Sequence, residues 1–210
     1  VAPTPEQLAG AEGLTIPDLI GPGLHVLFCG INPSLLSGYL GLHFARPGNR
    51  FWRLLHGAGF TDRVLPPAEQ HQLLDQGIGI TNLVAPATRR AADLTTEQLR
   101  AGARQLAITI ARWRPEITAI VGMQAYRVAF QRPLATVGEQ PEDLAGGRLW
   151  LLPNPSGLQA RYPFAEMVAM FAELRAAIDS RPDTGGPRRT MPTDARRTTH
   201  TDGRPRPPRR

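Results

Sequence analysis

The sequence predicts an α/β fold, a three-layer doubly wound sandwich around a central, mostly parallel four-stranded sheet. Two observations carry that expectation. Four short runs, at 24–28, 77–81, 117–121 and 148–152, are rich in Val, Ile and Leu and lack polar alternation, as strands of a parallel sheet buried on both faces do. Between them lie stretches of helical periodicity with recognisable ends, and strand alternating with helix is the layering of a doubly wound sandwich.

Each helix has its own signals. Asn49 suits the cap of a helix carrying Phe51, Trp52, Leu54 and Leu55, closed by Gly57 or Gly59. Pro66 and Pro67 fit the first turn of another that ends before Gly77. Thr95 and Gln98 form a capping box for a helix with Leu99, Ala103, Leu106, Ile110 and Trp113 on one face, stopped by Pro115. A short helix follows Met123. The last, at about 164–178, sets Phe164, Met167, Val168, Phe171, Leu174 and Ile178 on one stripe.

At 210 residues and 41% apolar, the chain has material for one well-buried domain and a tail. The reading is an N-terminal extension at 1–22, a domain at 23–179 and a basic tail at 180–210. Of the net charge of +6, all resides in residues 181–210, where nine arginines face three aspartates; residues 1–180 balance 15 arginines with 15 acids. A segment so rich in Arg, Pro, Thr and Gly buries too little to offset its ordering entropy and is expected to be disordered. It suits either non-specific attraction to nucleic acid or solubilisation. No apolar stretch approaches the roughly 20 residues of a membrane helix, and no secretory signal opens the chain, so a soluble, cytoplasmic protein is expected. Cys29 is the only cysteine, which excludes an intramolecular disulfide and thiolate-built metal clusters. All 24 basic residues are arginine, so lysine Schiff-base catalysis is excluded.

Ligands of open parallel sheets bind beyond the carboxyl ends of the strands. The segments there are 29–34, 82–89, 122–126 and 153–161, and two contain Asn-Pro, in "INPS" and "PNPSGL". One Asn-Pro is a turn initiator; two at one end of one sheet point to a site. No phosphate-binding loop, dinucleotide fingerprint or nucleophile elbow is present.

Three motifs, "GINPSLLSGYLGLHFARPGNRFW" (30–52), "GITNLVAPAT" (79–88) and "LPNPSGLQAR" (152–161), resemble in order and separation the mismatch-specific uracil-DNA and thymine-DNA glycosylase family. The resemblance covers about residues 24 to 178 and implies the uracil-DNA glycosylase fold. It implies a monofunctional, monomeric enzyme, without metal or cofactor, that flips uracil or another damaged pyrimidine out of mismatched duplex DNA, favours a guanine partner, and hydrolyses the N-glycosidic bond.

By the same resemblance Asn32 is the active-site asparagine. An amide removes no proton near neutrality, but its carbonyl holds a water in line with the sugar. Phe44 corresponds to the ring that stacks on the flipped base. Backbone amides around Ile31 and Phe44, with Asn154, would bind the base carbonyls and stabilise the departing anion. Asn82 takes the place it has in the thymine branch. In the insertion loop, Gly157 permits close approach, Leu158 wedges into the duplex and Arg161 meets the opposite guanine or a phosphate. The loop is one residue longer than the bacterial pattern. Ser34 replaces the usual glycine after Asn-Pro, where its side chain crowds the pocket floor or adds a hydroxyl.

Positioning without a general base leaves out a factor of about 10² to 10⁴. Asp93, just before the capping box, is a candidate for that base or for an anion steadying the sugar; a solvated loop charge is the alternative. His43 is a possible pocket residue, and Arg89 and Arg90 suit phosphate contacts. Two other classes stay open, a catalytically weak mismatch-binding module and a hydrolase of small nucleotides.

Overall fold

The computed structural model describes residues 3–157 and 161–180. Leu158 and the basic tail, on which two of the expectations above rest, lie outside that range. A five-stranded sheet of β1 (Val26–Gly30), β2 (Ile78–Asn82), β3 (Ile117–Val121), β4 (Gly138–Glu139) and β5 (Arg148–Leu152) runs in the order β2-β1-β3-β5-β4. The β1–β2, β1–β3 and β3–β5 pairs are parallel, and β4 closes one edge antiparallel to β5. The fifth strand is a correction to the expected four. It is two residues long, too short to leave a period in the sequence.

Alternation along the strands makes the layers. Val26 and Phe28 of β1, Ala119 and Val121 of β3, and Trp150 and Leu152 of β5 point into one apolar core. Cys29, Ile120, Leu149 and Leu151 point into the other. The first core is covered by α3 (Phe51–Gly57) and α6 (Phe164–Asp179). The second is covered by α4 (Thr96–Trp113) and α5 (Met123–Ala129).

The expected ends are present. Thr95 Oγ1 accepts from the Gln98 N–H at 3.1 Å and the Thr95 N–H donates to Gln98 Oε1 at 2.8 Å, completing the capping box of α4. The N-cap position of α3 is taken by Arg50 without a side-chain bond, one residue after the expected Asn49, whose Oδ1 accepts the Phe51 N–H at 2.9 Å. The proline-led segment is a 3-10 helix, Pro67–Gln76, kinked at Glu69. Two short helices have no counterpart in the sequence reading: α1 (Pro5–Ala9) and α2 (Leu35–Leu40). Each spans fewer than two turns, below the length at which periodicity is visible. Ser34 explains α2: its Oγ accepts the Ser37 N–H at 3.2 Å and caps the helix.

Residues 16–19, in the stretch read as an extension, are woven into the domain. Leu19 and Ile80 exchange both backbone hydrogen bonds at 2.8 Å, and Ile16 and Leu19 are buried. Among the described residues no helix is long and apolar enough to cross a membrane.

Gly102 of α4 lies against the backbone that follows β2: a Cβ there would stand 2.1 Å from the Leu83 carbonyl oxygen. Alanine inside a helix ordinarily stabilises by about 1 kcal/mol over glycine. Here the overlap reverses that sign, and Gly102→Ala is expected to destabilise by about 1–3 kcal/mol. Thermal or urea unfolding checks it; an unchanged or raised midpoint would show that α4 shifts freely.

Candidate functional site

At the carboxyl ends of β1, β2 and β5 the chain leaves a cleft of about 310 Å³. Its lining includes Ile31, Asn32, Phe44, Asn82, Thr88 and Asn154. Five of these six were singled out from the sequence, and the sheet topology is what collects them. The order β2-β1-β3 sends the connections from β1 and β2 to opposite sides, which opens a crevice above β1.

Four carboxamides line it, Asn32, Asn49, Asn82 and Asn154; Asn49 is turned to the start of α3, and the other three have their orientation imposed from behind. Asn32 Nδ2 donates to Thr88 Oγ1 at 2.7 Å and to the carbonyls of Pro33 and Pro86 at 3.2 and 3.4 Å. The Thr88 hydroxyl gives its own hydrogen to the Arg90 carbonyl at 2.9 Å, so it is an acceptor toward Asn32. Only the amide end of Asn32 fits that surround, and Oδ1 is left for the cleft. Asn154 is held the other way round: Oδ1 accepts the Ser156 N–H at 2.9 Å, which leaves Nδ2 as the available donor. Asn82 Nδ2 lies 3.3 Å from His43 Nδ1.

His43 is 1% exposed. Its Nε2 is 3.1 Å from the Pro17 carbonyl oxygen, an atom that only accepts, so Nε2 carries the hydrogen and the neutral ring presents Nδ1 as a lone pair. Burial pushes the imidazole below its ordinary range, opposed by the Pro17 hydrogen bond and by Asp18. Asp18 accepts from Thr81 Oγ1 at 2.8 Å, and burial raises its carboxyl above the ordinary range.

Phe44 has φ 51, a left-handed conformation that is uncommon for an aromatic residue and persists only where its surroundings enforce it. Its ring stacks on Phe51 at 3.9 Å between centroids, Phe51 meets Phe28 edge-on at 5.4 Å, and Phe28 stacks on Phe171 at 5.9 Å. The core therefore backs one face of Phe44, and its N–H takes no protein acceptor among the described residues. Gly30 beneath must lack a side chain: a Cβ would come within 2.6 Å of Asn82 Oδ1 and 3.3 Å of the Phe44 ring. Ser34 also lines the cleft, but its hydroxyl is spent on the α2 cap and on Ser37 Oγ at 3.1 Å.

Asp93 is not part of this lining. Its carboxylate accepts from Arg90 Nε at 3.1 Å and Nη2 at 2.9 Å, while Ala91 and Ala92 of the same short 3-10 turn face the cleft. Arg46, Arg89 and Arg90 are exposed and border the mouth, a setting suited to anionic partners. Arg161 lines a smaller neighbouring cleft with Arg50, Asn154 and Tyr162, its guanidinium 5.7 Å from the Tyr162 ring centroid. Gly157 lies against the Gly48 backbone; a Cβ would be 2.6 Å from the Gly48 oxygen. The sequence reading missed Thr88, Asp18 and Ser156. Thr88 stood inside a quoted motif, whereas Asp18 had no local signal.

The family model for the uracil DNA glycosylase superfamily matches residues 17–177. The chain belongs to that superfamily. Membership makes it a hydrolytic DNA glycosylase, and the start of the match at 17 includes the Asp18 segment in the family's own fold. The architecture agrees with a candidate uracil DNA glycosylase from Methanosarcina acetivorans solved by NMR, at a TM-score of 0.51 and 19% identity over 78% of this chain and 98% of that one.

The buried imidazole gives this superfamily member a pH signature. Its depressed pKa in the folded state means that the unfolded chain binds the proton first, so stability falls as pH drops from about 6.5 toward the depressed value. His43→Gln removes that loss. The expected result is a parent that loses more stability between about pH 7 and about pH 5.5 than the variant does, measured by urea unfolding; parallel profiles would refute it.

Proposed function

We propose that the cleft receives uracil, or thymine or a modified pyrimidine of the same imide pattern, rotated out of mismatched duplex DNA, and that water attack leaves an abasic site. The observation that carries this reading is the pair of opposed amides beside a core-backed ring. Asn82 Oδ1 is an acceptor for the ring N3–H, Asn154 Nδ2 is a donor for a flanking carbonyl, and the free face of Phe44 is a stacking platform.

The chemistry follows from what each group offers. Asn32 Oδ1 accepts from a water and aims its oxygen lone pair at the anomeric carbon of the sugar. A C–O bond forms there as the C–N bond breaks, the bonding pair departs with the base, and the water's surplus proton passes to solvent. Negative charge on the departing base is met by the Asn154 amide and the Phe44 N–H, donors already fixed before the reaction; one such donor is worth about 10²–10³ in rate. Asp93 is assigned to holding Arg90 at the rim for a phosphate, not to activating the water. The preference for guanine opposite the lesion rests on the insertion motif at 152–161, where the loop before Leu158 is pressed onto Gly48 and Arg161 stands in the adjoining cleft.

Single-turnover excision from duplexes holding uracil opposite guanine, uracil opposite adenine and thymine opposite guanine tests the reading. Asn32→Ala is expected to lose about 10²-fold or more, and Thr88→Ala about tenfold or more, because the amide is then free to turn. Asp93→Ala is expected to change the rate by no more than about fivefold, as for an exposed ion pair. Equal damage from Asp93→Ala in a folded protein would move the chemistry to the carboxylate. A parent that binds the duplexes and excises nothing would leave the mismatch-binding reading.

A second expectation comes from composition. With no lysine in the chain, no side-chain amine is present to form an imine with the abasic sugar. The product strand should stay intact until treated with alkali; enzyme-dependent strand cleavage on a denaturing gel would refute a monofunctional reaction.

A further inference from the structure

We propose that His43, from behind the cleft, determines which end of the Asn82 amide faces the base, and so whether the pocket accepts a pyrimidine that donates at N3 or one that accepts there. The proposal rests on the glycosylase reading and names a specificity device for it. His43 is 1% exposed and does not react; it is a positioning residue acting through Asn82.

The donors and acceptors behind the cleft form a chain with one consistent solution. The Pro17 carbonyl fixes the hydrogen on Nε2, at 3.1 Å. The lone pair on Nδ1 then demands a donor, and the Asn82 amide nitrogen supplies it at 3.3 Å. Asn82 Oδ1 is thereby turned toward the space above Gly30 beside the Phe44 ring, with no protein donor among the described residues. An acceptor there complements the N3–H of uracil and thymine, and opposes the N3 lone pair of a cytosine-type base.

A second proton on His43 inverts the arrangement. Nδ1 becomes a donor, two donors cannot pair, and a half-turn of the Asn82 amide restores the bond through Oδ1 while presenting Nδ2 to the base. The groups around the ring set how readily this occurs. Asp18, from the segment before β1, is the charged group acting on it and favours the proton, and burial opposes the proton. Gln70, whose Oε1 accepts the His43 N–H at 2.9 Å, and Thr81 and Asn82 of β2 are uncharged. Arg46, Arg89 and Arg90 border the same cleft.

The test compares excision of uracil with excision of 5-fluorocytosine, both opposite guanine, from about pH 8.5 down through the folded His43 transition, which burial holds below about 6.5, in the parent and in His43→Gln. Alongside it, nitrogen-15 NMR of the full chain follows the His43 ring and the Asn82 side-chain amide. The expected result is an Nε2–H tautomer at neutral pH, and an Asn82 amide resonance that moves with the His43 titration. Selectivity for uracil should fall about tenfold or more on the acid side, and His43→Gln should flatten that pH dependence. An Nδ1–H tautomer, an Asn82 resonance indifferent to the titration, or a selectivity that varies identically in His43→Gln would overturn the proposal. If the parent excises neither base, the glycosylase reading fails, and the NMR titration alone still decides whether His43 turns the amide.

Discussion

A carboxamide is ambiguous by nature: its two ends are nearly the same size, and one donates where the other accepts. Four of them line the cleft, and for three the ambiguity is resolved from behind. For Asn32 the resolving group is a threonine hydroxyl whose own hydrogen is committed elsewhere, for Asn154 a backbone N–H two residues on, and for Asn82 a histidine whose tautomer a proline carbonyl imposes. Without those partners the residues would still be present, but the pattern of acceptor, donor and acceptor would be one of several.

The backing partners come from elements that only the tertiary fold unites. Thr88 belongs to the loop after β2 and Asn32 to the turn after β1; the parallel register that pairs Gly30 with Asn82 sets both loops at one height. His43 sits between α2 and α3, and its tautomer is set by Pro17, which the Leu19–Ile80 pairing holds beside β2. The Phe44 platform is likewise a product of the core. Its left-handed backbone costs on the order of 1–3 kcal/mol, offset by stacking on Phe51 and, through it, by the aromatic packing beneath the sheet.

This division explains what was legible in the sequence. The buried strands, the α4 capping box and the α6 stripe are local periodicities, and they appeared within a residue or two of where the pattern put them. Asn32, Phe44, Asn82 and Asn154 were readable because they sit in motifs that end strands. The two-residue β4 and the helices α1 and α2 were not, since none spans enough residues to show a period. Asp18 and His43 were opaque for a different reason. Their roles are relations between segments far apart in the chain, and a histidine beside a turn looks the same whether or not it governs an amide. Ser34 looked like a change to the pocket floor, and the structure shows its hydroxyl capping α2.

The described lining of the cleft is free of carboxylates, and that has a physical logic. The proposed reaction drives negative charge onto the departing base, with the phosphates of a bound duplex beside it. A carboxylate in the cleft would oppose both by like-charge repulsion. Asp93, paired with Arg90, and Asp18, hydrogen-bonded to Thr81, both lie outside that lining. On the proposed mechanism, amide-only positioning forgoes the factor of about 10²–10⁴ that a general base supplies. In return the donors and acceptors hold their charge state across the pH range, except where His43 stands behind Asn82. A cleft working by that proposed mechanism, with orientation in place of proton transfer, is most sensitive at the buried groups that set orientation.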